Sequence, residues 1–355
     1  MSEPSISDRT ALVGCLLGTA VGDALGLPYE GLSSRRAARL LGPPERQRLL
    51  GHWGLVSDDT EHTAMVAQAL IASGGDPERF RRSLAWRLRW WFLGLPAGVG
   101  WATLRAILRL WIGIRPEHSG VYSAGNGPAM RAAIVGVAIA DPESLRILVR
   151  ASARLTHTDP LAEQGAWTVA WAARMAGMGP VDPARYLAEV RAALGTEGQA
   201  LTDLIERAVD SVSQGESTEA FAQGLGLARG VSGYVCHTVP VALHAWLAHP
   251  RDYQAAVGAV IRCGGDTDST AAIVGGILGA AVGRAGIPRD WLDGLIEWPR
   301  SVTWLERLGE RLAESRTPGA SVRPLPLFVP GVLIRNAFFL LVVLAHGFRR
   351  LGPPY

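Results

Sequence analysis

Apolar residues recur at helical spacing along most of the chain, as in the series Phe80, Leu84, Leu88 and Phe92, while alternating β-branched runs are scarce. Gly and Pro residues separate the apolar segments, and no fixed-period repeat is visible. The pattern predicts a compact all-α domain over residues 1–316. Its helices are predicted over residues 62–73, 78–93, 101–112, 128–138, 161–176, 183–193, 200–212, 234–247, 252–262 and 268–283.

A different pattern begins after Arg316. Residues 317–355 are predicted to form a linker followed by an apolar tail helix, with residues 327–348 strongly apolar. Arg335 and Arg349 bracket a run shorter than the roughly 20 residues that a membrane span needs. One interpretation is a helix docked on the domain. The other is an interfacial anchor, with these arginines at the lipid headgroups and peripheral membrane contact through residues 327–348.

Composition narrows the class of protein. Hydrophobic residues make up 48% of the 355 residues and charged residues 19%, which is enough for a sizeable core. Lys and Arg total 35 against 32 Asp and Glu, a net charge of +3, so no specific nucleic-acid partner is predicted. Every basic residue is Arg, which excludes Schiff-base lysine chemistry and the P-loop lysine.

The cysteines and the N-terminus bear on location. Cys15, Cys236 and Cys263 lack the spacing of a disulfide framework or a zinc site, which favours a reducing compartment. The segment from Met1 to Arg9 is polar, and we expect only a short apolar stretch after it, unlike in a secretory signal. We therefore expect a cytoplasmic protein.

Two acidic clusters stand where a loop enters a predicted helix. One carboxylate or hydroxyl would suffice as a helix N-cap, and capping is the alternative for either cluster alone. Each cluster has two carboxylates plus hydroxyls, and crowded carboxylates repel one another unless a cation neutralises them. Hard oxygen ligands suit Mg²⁺, Mn²⁺ or Ca²⁺, so together they indicate a two-metal site for hydrolysis. The clusters are Ser57, Asp58, Asp59 and Thr60, and Asp266, Thr267, Asp268 and Ser269.

Three further segments could contact a ligand. Asn126 lies between two glycines before a predicted helix, where backbone N–H groups can bind an anion, although a simple turn is the alternative. His157 lies among polar residues in a loop, and Glu30 follows a Gly-rich helix end. Small residues after Asp268 recur at helical spacing and predict close packing in the centre of a bundle, from Ala271 to Ala280.

These five segments, in this order, resemble the ADP-ribosylglycohydrolase family, the group of the dinitrogenase-reductase-activating glycohydrolase. The match runs from about Leu12 to Ala281. It joins Gly-Asp-Ala-x-Gly…Glu, Ser-Asp-Asp-Thr, Gly-Asn-Gly-x-x-Met-Arg, Thr-His-x-x-Pro and Gly-Gly-Asp-Thr-Asp-Ser, a highly specific combination. The resemblance implies an all-helical, roughly orthogonal bundle with two Mg²⁺ or Mn²⁺ ions at the base of a cleft.

The resemblance also implies roles for single residues. The metal ligands would be Ser57, Asp58, Asp59, Asp266, Asp268 and Ser269. Glu30 would stand beside the metals as general acid/base or as a gate, and Glu30 and Asp268 are the expected catalytic residues. Substrate binding would fall to Ser123, Gly125, Asn126 and Gly127 for the diphosphate and ribose, His157 for the ribose and Tyr234 for adenine.

The implied activity is cleavage of the N- or O-glycosidic bond between ADP-ribose and a modified protein or small-molecule acceptor, through an oxocarbenium-like transition state. Ser57 and Ser269 replace the more usual Thr but keep the hydroxyl oxygen. The segment Gly94–Gly100 lacks the aspartate of arginine-specific members, which argues against arginine as the acceptor. A non-catalytic ADP-ribose-binding module and a binuclear-metal phosphohydrolase on a nucleotide or small metabolite are the alternatives.

Overall fold

The computed structural model describes residues 8–317 and 319–349, and the predicted all-α fold is confirmed. The remaining parts of the predicted ranges 1–316 and 317–355 lie outside the described residues, as does the side chain of Arg349. The described residues form these α-helices: α1 Asp8–Gly26, α2 Ser34–Leu41, α3 Asp58–Ser73, α4 Pro77–Leu93, α5 Trp101–Trp111, α6 Gly127–Met130, α7 Ala133–Ala138, α8 Pro142–Arg154, α9 Pro160–Met178, α10 Pro183–Leu194, α11 Gln199–Ser213, α12 Thr218–Gly224, α13 Val235–Ala248, α14 Tyr253–Cys263, α15 Thr267–Val282, α16 Arg289–Asp293, α17 Val302–Ser315 and α18 Val329–Arg349.

The N-terminal segment differs from the sequence-based expectation. The idea of only a short apolar stretch is wrong, because α1 is a 19-residue, largely apolar helix. Two described segments are long and apolar enough to cross a membrane, Asp8–Tyr29 and Val329–Phe348. The apolar stretch of the first is 89% buried, and that of the second is 33% buried. The burial of α1 identifies it as the core helix of the domain rather than a membrane segment.

Helices α1 and α15 form the centre of the bundle and run antiparallel with their backbones in contact. A Cβ atom at Gly18 would lie 2.1 Å from the carbonyl oxygen of Gly275, and one at Gly22 would lie 2.2 Å from that of Ala271. Only glycine permits such an approach. The predicted close packing of the small residues after Asp268 is confirmed, and it brings the end of α1 beside the start of α15.

A short antiparallel sheet ties two loops together. Strand β1 (Leu32–Ser33) pairs with β2 (Gly264–Gly265). Gly265 has a φ of +84°, and a Cβ atom there would lie 2.0 Å from the carbonyl oxygen of Val231. Only a residue without a Cβ atom fits this turn, which leads directly into α15. The sheet therefore fixes the loop that carries Glu30 beside the loop that carries Asp266.

Helix α18 docks on the domain by one face. Its buried residues are Val332, Arg335, Asn336, Phe339 and Val342, which recur at helical spacing. Phe339 and Val342 pack in a small apolar cluster with Leu27, Leu49 and Leu55. The described side chains of the tail agree with the docked interpretation. The opposite face remains exposed and apolar, with Leu333, Ile334, Phe338, Leu341 and Phe348.

Beneath α18 lies a group of buried opposite charges, which we call the ion-pair cluster: Glu61, Glu297, Arg300 and Arg335. Arg300 Nη1 lies 2.5 Å from Glu61 Oε1, and Arg335 Nη2 lies 2.6 Å from Glu297 Oε2. The side chain of Arg335 is only 4% exposed. The expectation that Arg335 reaches lipid headgroups is therefore wrong, because its guanidinium is paired inside the protein.

Candidate metal centre and cleft

Carboxylates from three helices meet near the middle of the bundle. Asp23 lies near the end of α1, Asp59 in the first turn of α3 and Asp268 in the first turn of α15. One carboxylate oxygen from each lies within 4.8 Å of the others. Ser269 Oγ donates to Asp59 Oδ2 at 3.2 Å, although 210 residues separate them. The two acidic clusters thus meet in space, and we call Asp23, Asp58, Asp59, Asp266 and Asp268 the acidic centre.

Asp23 is the member that sequence reasoning missed. Its carboxylate accepts hydrogen bonds from the backbone N–H groups of Ser57 at 2.9 Å and Thr60 at 3.1 Å. The Thr60 hydroxyl also donates to Asp23 Oδ2 at 2.5 Å. Asp23 therefore caps α3 from another helix, while Ser57 Oγ accepts from the Asp59 N–H. This double cap explains why α3 begins at Asp58, before the predicted residue 62. The available signal was a carboxylate inside an apolar helix.

The electrostatics of the acidic centre are those of unpaired buried charge. Burial raises the pKa of Asp58 to about 8, with further contributions from Asp23, Glu61 and Glu30. Burial also raises the pKa of Asp23 to about 6, against the lowering effect of its hydrogen bonds from Thr60 and Ser57. The ionised forms of these carboxylates repel one another, so they are unfavourable together unless positive charge is also present in the site.

The donors present fit a divalent cation. Asp59 Oδ1 and Asp268 Oδ1 are buried and accept no hydrogen bond from any described residue. Buried carboxylate oxygens without partners are costly, and a bound cation would satisfy them. Carboxylate and hydroxyl oxygens are ligands for Mg²⁺, Mn²⁺ or Ca²⁺ rather than for zinc or copper. The site therefore suits one or more hard divalent ions.

A cleft of 540 Å³ adjoins the acidic centre, and ten of the predicted site residues line it: Glu30, Asp58, Ser123, Gly125, Asn126, Gly127, His157, Asp266, Asp268 and Ser269. Asp59 is buried, outside the cleft lining, and Ser57 lines a neighbouring cavity. Tyr234 is 40% exposed and does not line the cleft, but it forms a β-bridge with Gly125 at its edge. The structure therefore gathers nearly the whole predicted set around one opening.

The Gly-Asn-Gly segment is linked to the acidic centre through Asn126. Its Nδ2 donates to Asp266 Oδ2 at 2.7 Å and to Thr238 Oγ1 at 3.1 Å. The Asn126 side chain thus orients a carboxylate, which leaves the backbone of the segment to face a ligand. A Cβ atom at Gly127 would lie 2.8 Å from His157 Cε1, so glycine allows the imidazole to pack against this segment.

A buried arginine supports both substrate-facing loops, and sequence reasoning assigned it no role. Arg131 donates to the Gly127 carbonyl at 3.0 Å and to Thr156 Oγ1 at 2.7 Å. Burial, together with the charge of Arg131, lowers the pKa of His157 to about 3. His157 is therefore neutral near pH 7, and its Nδ1 lies 2.9 Å from Thr156 Oγ1, which leaves Nε2 as the ring nitrogen for a ligand.

These features define a class: an all-α protein whose cleft adjoins a buried carboxylate cluster. Residues 3–321 match the family model for ADP-ribosylglycohydrolase. The chain belongs to the ADP-ribosylglycohydrolase family, which hydrolyses ADP-ribose linkages and is metal-dependent. The resemblance inferred from the sequence motifs is confirmed.

Several relatives are similar over most of their length. An uncharacterized protein of Archaeoglobus fulgidus is 34% identical, with 84% of this chain and 95% of the relative covered. The ADP-ribosyl-(dinitrogen reductase) glycohydrolase of Rhodospirillum rubrum is 29% identical, with 83% and 92% covered. The ADP-ribosylhydrolase ARH3 of Gallus gallus is 26% identical, with 78% and 87% covered.

A solved structure agrees with this assignment. The ADP-ribosylglycohydrolase-related protein complex matches with a TM-score of 0.65 and 26% identity. The match covers 87% of this chain and 99% of that chain. Together with the named relatives, it supports a glycohydrolase enzyme.

Proposed function

We propose that this protein is a metal-dependent hydrolase that cleaves the N- or O-glycosidic bond between ADP-ribose and a modified acceptor, which is a protein or a small molecule. The observation that carries the proposal is the meeting of the acidic centre and the Gly-Asn-Gly segment in one cleft. Asp268, Asn126 and His157 all line the same 540 Å³ space. Membership of a family that hydrolyses ADP-ribose linkages supports the same substrate class.

We propose that two divalent cations, Mg²⁺ or Mn²⁺, are held by Ser57, Asp58, Asp59, Asp266, Asp268 and Ser269. The unpartnered oxygens of Asp59 and Asp268 support this assignment. Asp23 acts as a positioning residue, since its carboxylate already accepts hydrogen bonds from Ser57 and Thr60. When bound, the cations would orient the ribose hydroxyls, polarise the sugar and lower the pKa of the attacking water.

The residues of the cleft have separate roles in the proposed hydrolysis. The backbone of Gly125 and Gly127, with Ser123, binds the diphosphate, and His157 contacts the ribose. Tyr234 stacks on adenine at the cleft edge. These contacts hold the C1″ carbon beside the acidic centre, which lowers the entropic cost of reaction. Glu30 lines the cleft beside Asp58 and Asp268, and its carboxylate accepts a proton from the attacking water and returns it to the departing acceptor.

One experiment separates this proposal from its alternatives. The full-length protein is incubated with ADP-ribosylated protein and, separately, with nucleotides, each with Mg²⁺ or with EDTA. We expect free ADP-ribose to be released only when metal is present. Phosphate release from nucleotides would favour a phosphohydrolase. Tight ADP-ribose binding without turnover would favour a non-catalytic binding module.

We propose that the catalytic unit spans residues 1–316, that residues 317–355 add a linker and tail, and that the protein is cytoplasmic. The free, buried cysteines support a reducing compartment. We further propose that the outer face of α18 lies on a membrane surface. The buried ion pair of Arg335 with Glu297 holds the helix flat on the domain, so in-plane contact fits and a span does not.

Vesicle flotation tests the membrane contact. The protein is expected to float with anionic lipid vesicles, and Leu341→Glu on the exposed face is expected to reduce flotation because it places charge on the apolar face. Absence of wild-type flotation would contradict the proposed contact and leave the enzymatic proposal untouched.

A further inference from the structure

A second cavity also reaches the acidic centre. Its volume is 190 Å³, and Glu30, Asp58 and Asp268 are among its lining residues. The same three carboxylates line the larger cleft. The two cavities therefore meet at the residues around which glycosidic cleavage is proposed, yet their other walls come from different parts of the chain.

The tail helix supplies one wall of this second cavity, which we call the tail pocket. The lining residues from α18 are Phe339, Val343, His346 and Gly347. The wall is fixed at both ends. Asn336 Nδ2 donates to the Gly94 carbonyl at 2.7 Å, and His346 Nε2 lies 2.5 Å from the Leu49 carbonyl oxygen. The tail is therefore a built part of the site as well as an appendage to the domain.

We propose that the tail pocket is the acceptor subsite and that it receives a compact group bonded to C1″: a single ring or a short aliphatic group. The inference rests on the proposed function. If ADP-ribose fills the larger cleft with C1″ at the shared carboxylates, the group bonded to C1″ extends into the tail pocket. In hydrolysis, the water oxygen bonds to C1″, the bond to the acceptor breaks with its electron pair leaving on the acceptor, and a water proton moves to that atom.

Volume sets the size of the acceptor. An apolar cavity of about 150 Å³ binds benzene in another protein, so a pocket of 190 Å³ admits one ring or a short aliphatic chain. A fused or extended group would exceed it. Because α18 forms one wall of this side of the site, the part of the acceptor next to C1″ must fit within the pocket.

The pocket is polar at one end and apolar elsewhere. Glu30, Asp58 and Asp268 line the end that it shares with the cleft, while Leu49, Phe339 and Val343 supply carbon surfaces. His346 Nε2 donates to the Leu49 carbonyl, which fixes the imidazole in the wall. The apolar walls suit the carbon atoms of a ring or a short aliphatic group.

A matched pair of variants tests the tail pocket in the full-length, metal-loaded protein. Gly347 lines the pocket, and a Cβ atom built there meets no atom within 4 Å, so Gly347→Leu adds bulk without displacing other groups. Ala345→Leu adds comparable bulk to an exposed position of the same helix. The probes are ADP-ribose with an O-benzyl or an O-methyl group at C1″.

We expect the wild type to cleave both the O-benzyl and the O-methyl probe. Gly347→Leu should lower kcat/KM for the O-benzyl probe about tenfold but leave the O-methyl probe within about twofold. ADP-ribose affinity, measured by calorimetry, should stay within about twofold in both variants. Ala345→Leu should match the wild type throughout. Val343→Ala, which enlarges the pocket, should raise relative activity on a probe with a two-ring acceptor.

Two results would overturn the inference while the proposed function stood: no change on the O-benzyl probe in Gly347→Leu, or an equal fall on both glycosides and in ADP-ribose affinity. A wild type that neither binds ADP-ribose nor cleaves any probe would instead refute the proposed function itself. The two failures are therefore distinguishable.

Discussion

The molecule buries charge in two ways. The ion-pair cluster matches Glu61 and Glu297 with Arg300 and Arg335, and each side chain is at most 5% exposed. The acidic centre has five aspartates, and its hydrogen bonds come from backbone N–H, hydroxyl and amide groups rather than from a matching set of guanidinium groups. One cluster is neutralised by the chain itself, and the other has no matching set of guanidinium groups among its described hydrogen-bond donors.

The pKa directions express the same contrast. Burial raises the pKa of Asp58 to about 8, and neighbouring carboxylates add to the rise. Burial lowers the pKa of Arg335, but Glu297 and Glu61 outweigh it and raise the pKa overall. A buried cluster with internal pairing is costly to break, because loss of one partner leaves an uncompensated charge, whereas a cluster without pairing is a candidate ligand site.

The strongest test of the contrast is Asp268→Asn. The change removes one ligand charge, so ADP-ribose release should fall about a thousandfold or more. The metal-free protein should remain folded, because removing a charge relieves repulsion within the acidic centre. Release of ADP-ribose and a thermal melt would be measured together. Near wild-type turnover would take Asp268 out of the catalytic machinery.

Arg300→Met is expected to lower the free energy of unfolding, unlike Asp268→Asn. Loss of this guanidinium leaves Glu61 with less positive charge nearby, and breaking a buried pair costs about 3–5 kcal/mol of unfolding free energy. Urea unfolding would measure it. Arg289→Met is the control, because its pair with Asp293 is largely exposed and should contribute little. Equal losses in both variants would mean that the ion-pair cluster is not special.

Local sequence patterns predict four aspartates of the acidic centre but not the ion-pair cluster. The sequence predicts the site residues Asp58, Asp59, Asp266 and Asp268 because each pair lies where a loop enters a helix. The motifs also follow one another in the order that the family has. All-α architecture followed from apolar periodicity. The meeting of the pairs is an inference from chemistry, since crowded carboxylates repel one another unless a cation neutralises them.

The remainder depends on long-range contacts that a local pattern does not contain. Asp23 reaches Ser57 and Thr60 because the end of α1 packs against the start of α3. The Arg335–Glu297 pair likewise joins the tail to a loop. An arginine in an apolar helix reads equally well as a lipid-headgroup ligand or as a buried partner, and the outcome depends on which carboxylate the fold presents.

Metal addition should give a smaller effect than the two substitutions above. Mg²⁺ or Mn²⁺ at about 100 times its dissociation constant should stabilise the fold by about 2.7 kcal/mol, seen as a rise in Tm. The rise should vanish in Asp268→Asn and persist in Arg300→Met, because only the acidic centre needs the ion. A wild type whose Tm is the same with EDTA and with metal would contradict the assignment of the acidic centre as a metal site.

His244 is a buried imidazole outside both clusters. Burial favours its neutral form, so no counter-charge is required. His244 contacts Ser211 Oγ and Thr218 Oγ1, each at 3.1 Å, and stacks on Phe221. Burial lowers the pKa of His244 to about 4, although Glu216 and Glu219 act to raise it and His249 lowers it further. Neutral His244 is therefore the form that the folded protein accommodates near pH 7.

The sign of the resulting pH dependence follows from proton linkage and gives the smallest predicted effect. As pH falls below about 6.5, an unfolded histidine gains a proton before the folded one does, so the stabilisation present above pH 6.5 is lost as pH falls towards 4. Between pH 7 and pH 5, His244 should account for about 1–2 kcal/mol. Urea unfolding at both pH values should therefore show a shallower loss in His244→Gln than in the wild type. Equal losses would mean that the folded protein protonates His244 as readily as the unfolded chain does, and that burial alone does not set the charge of groups in this core.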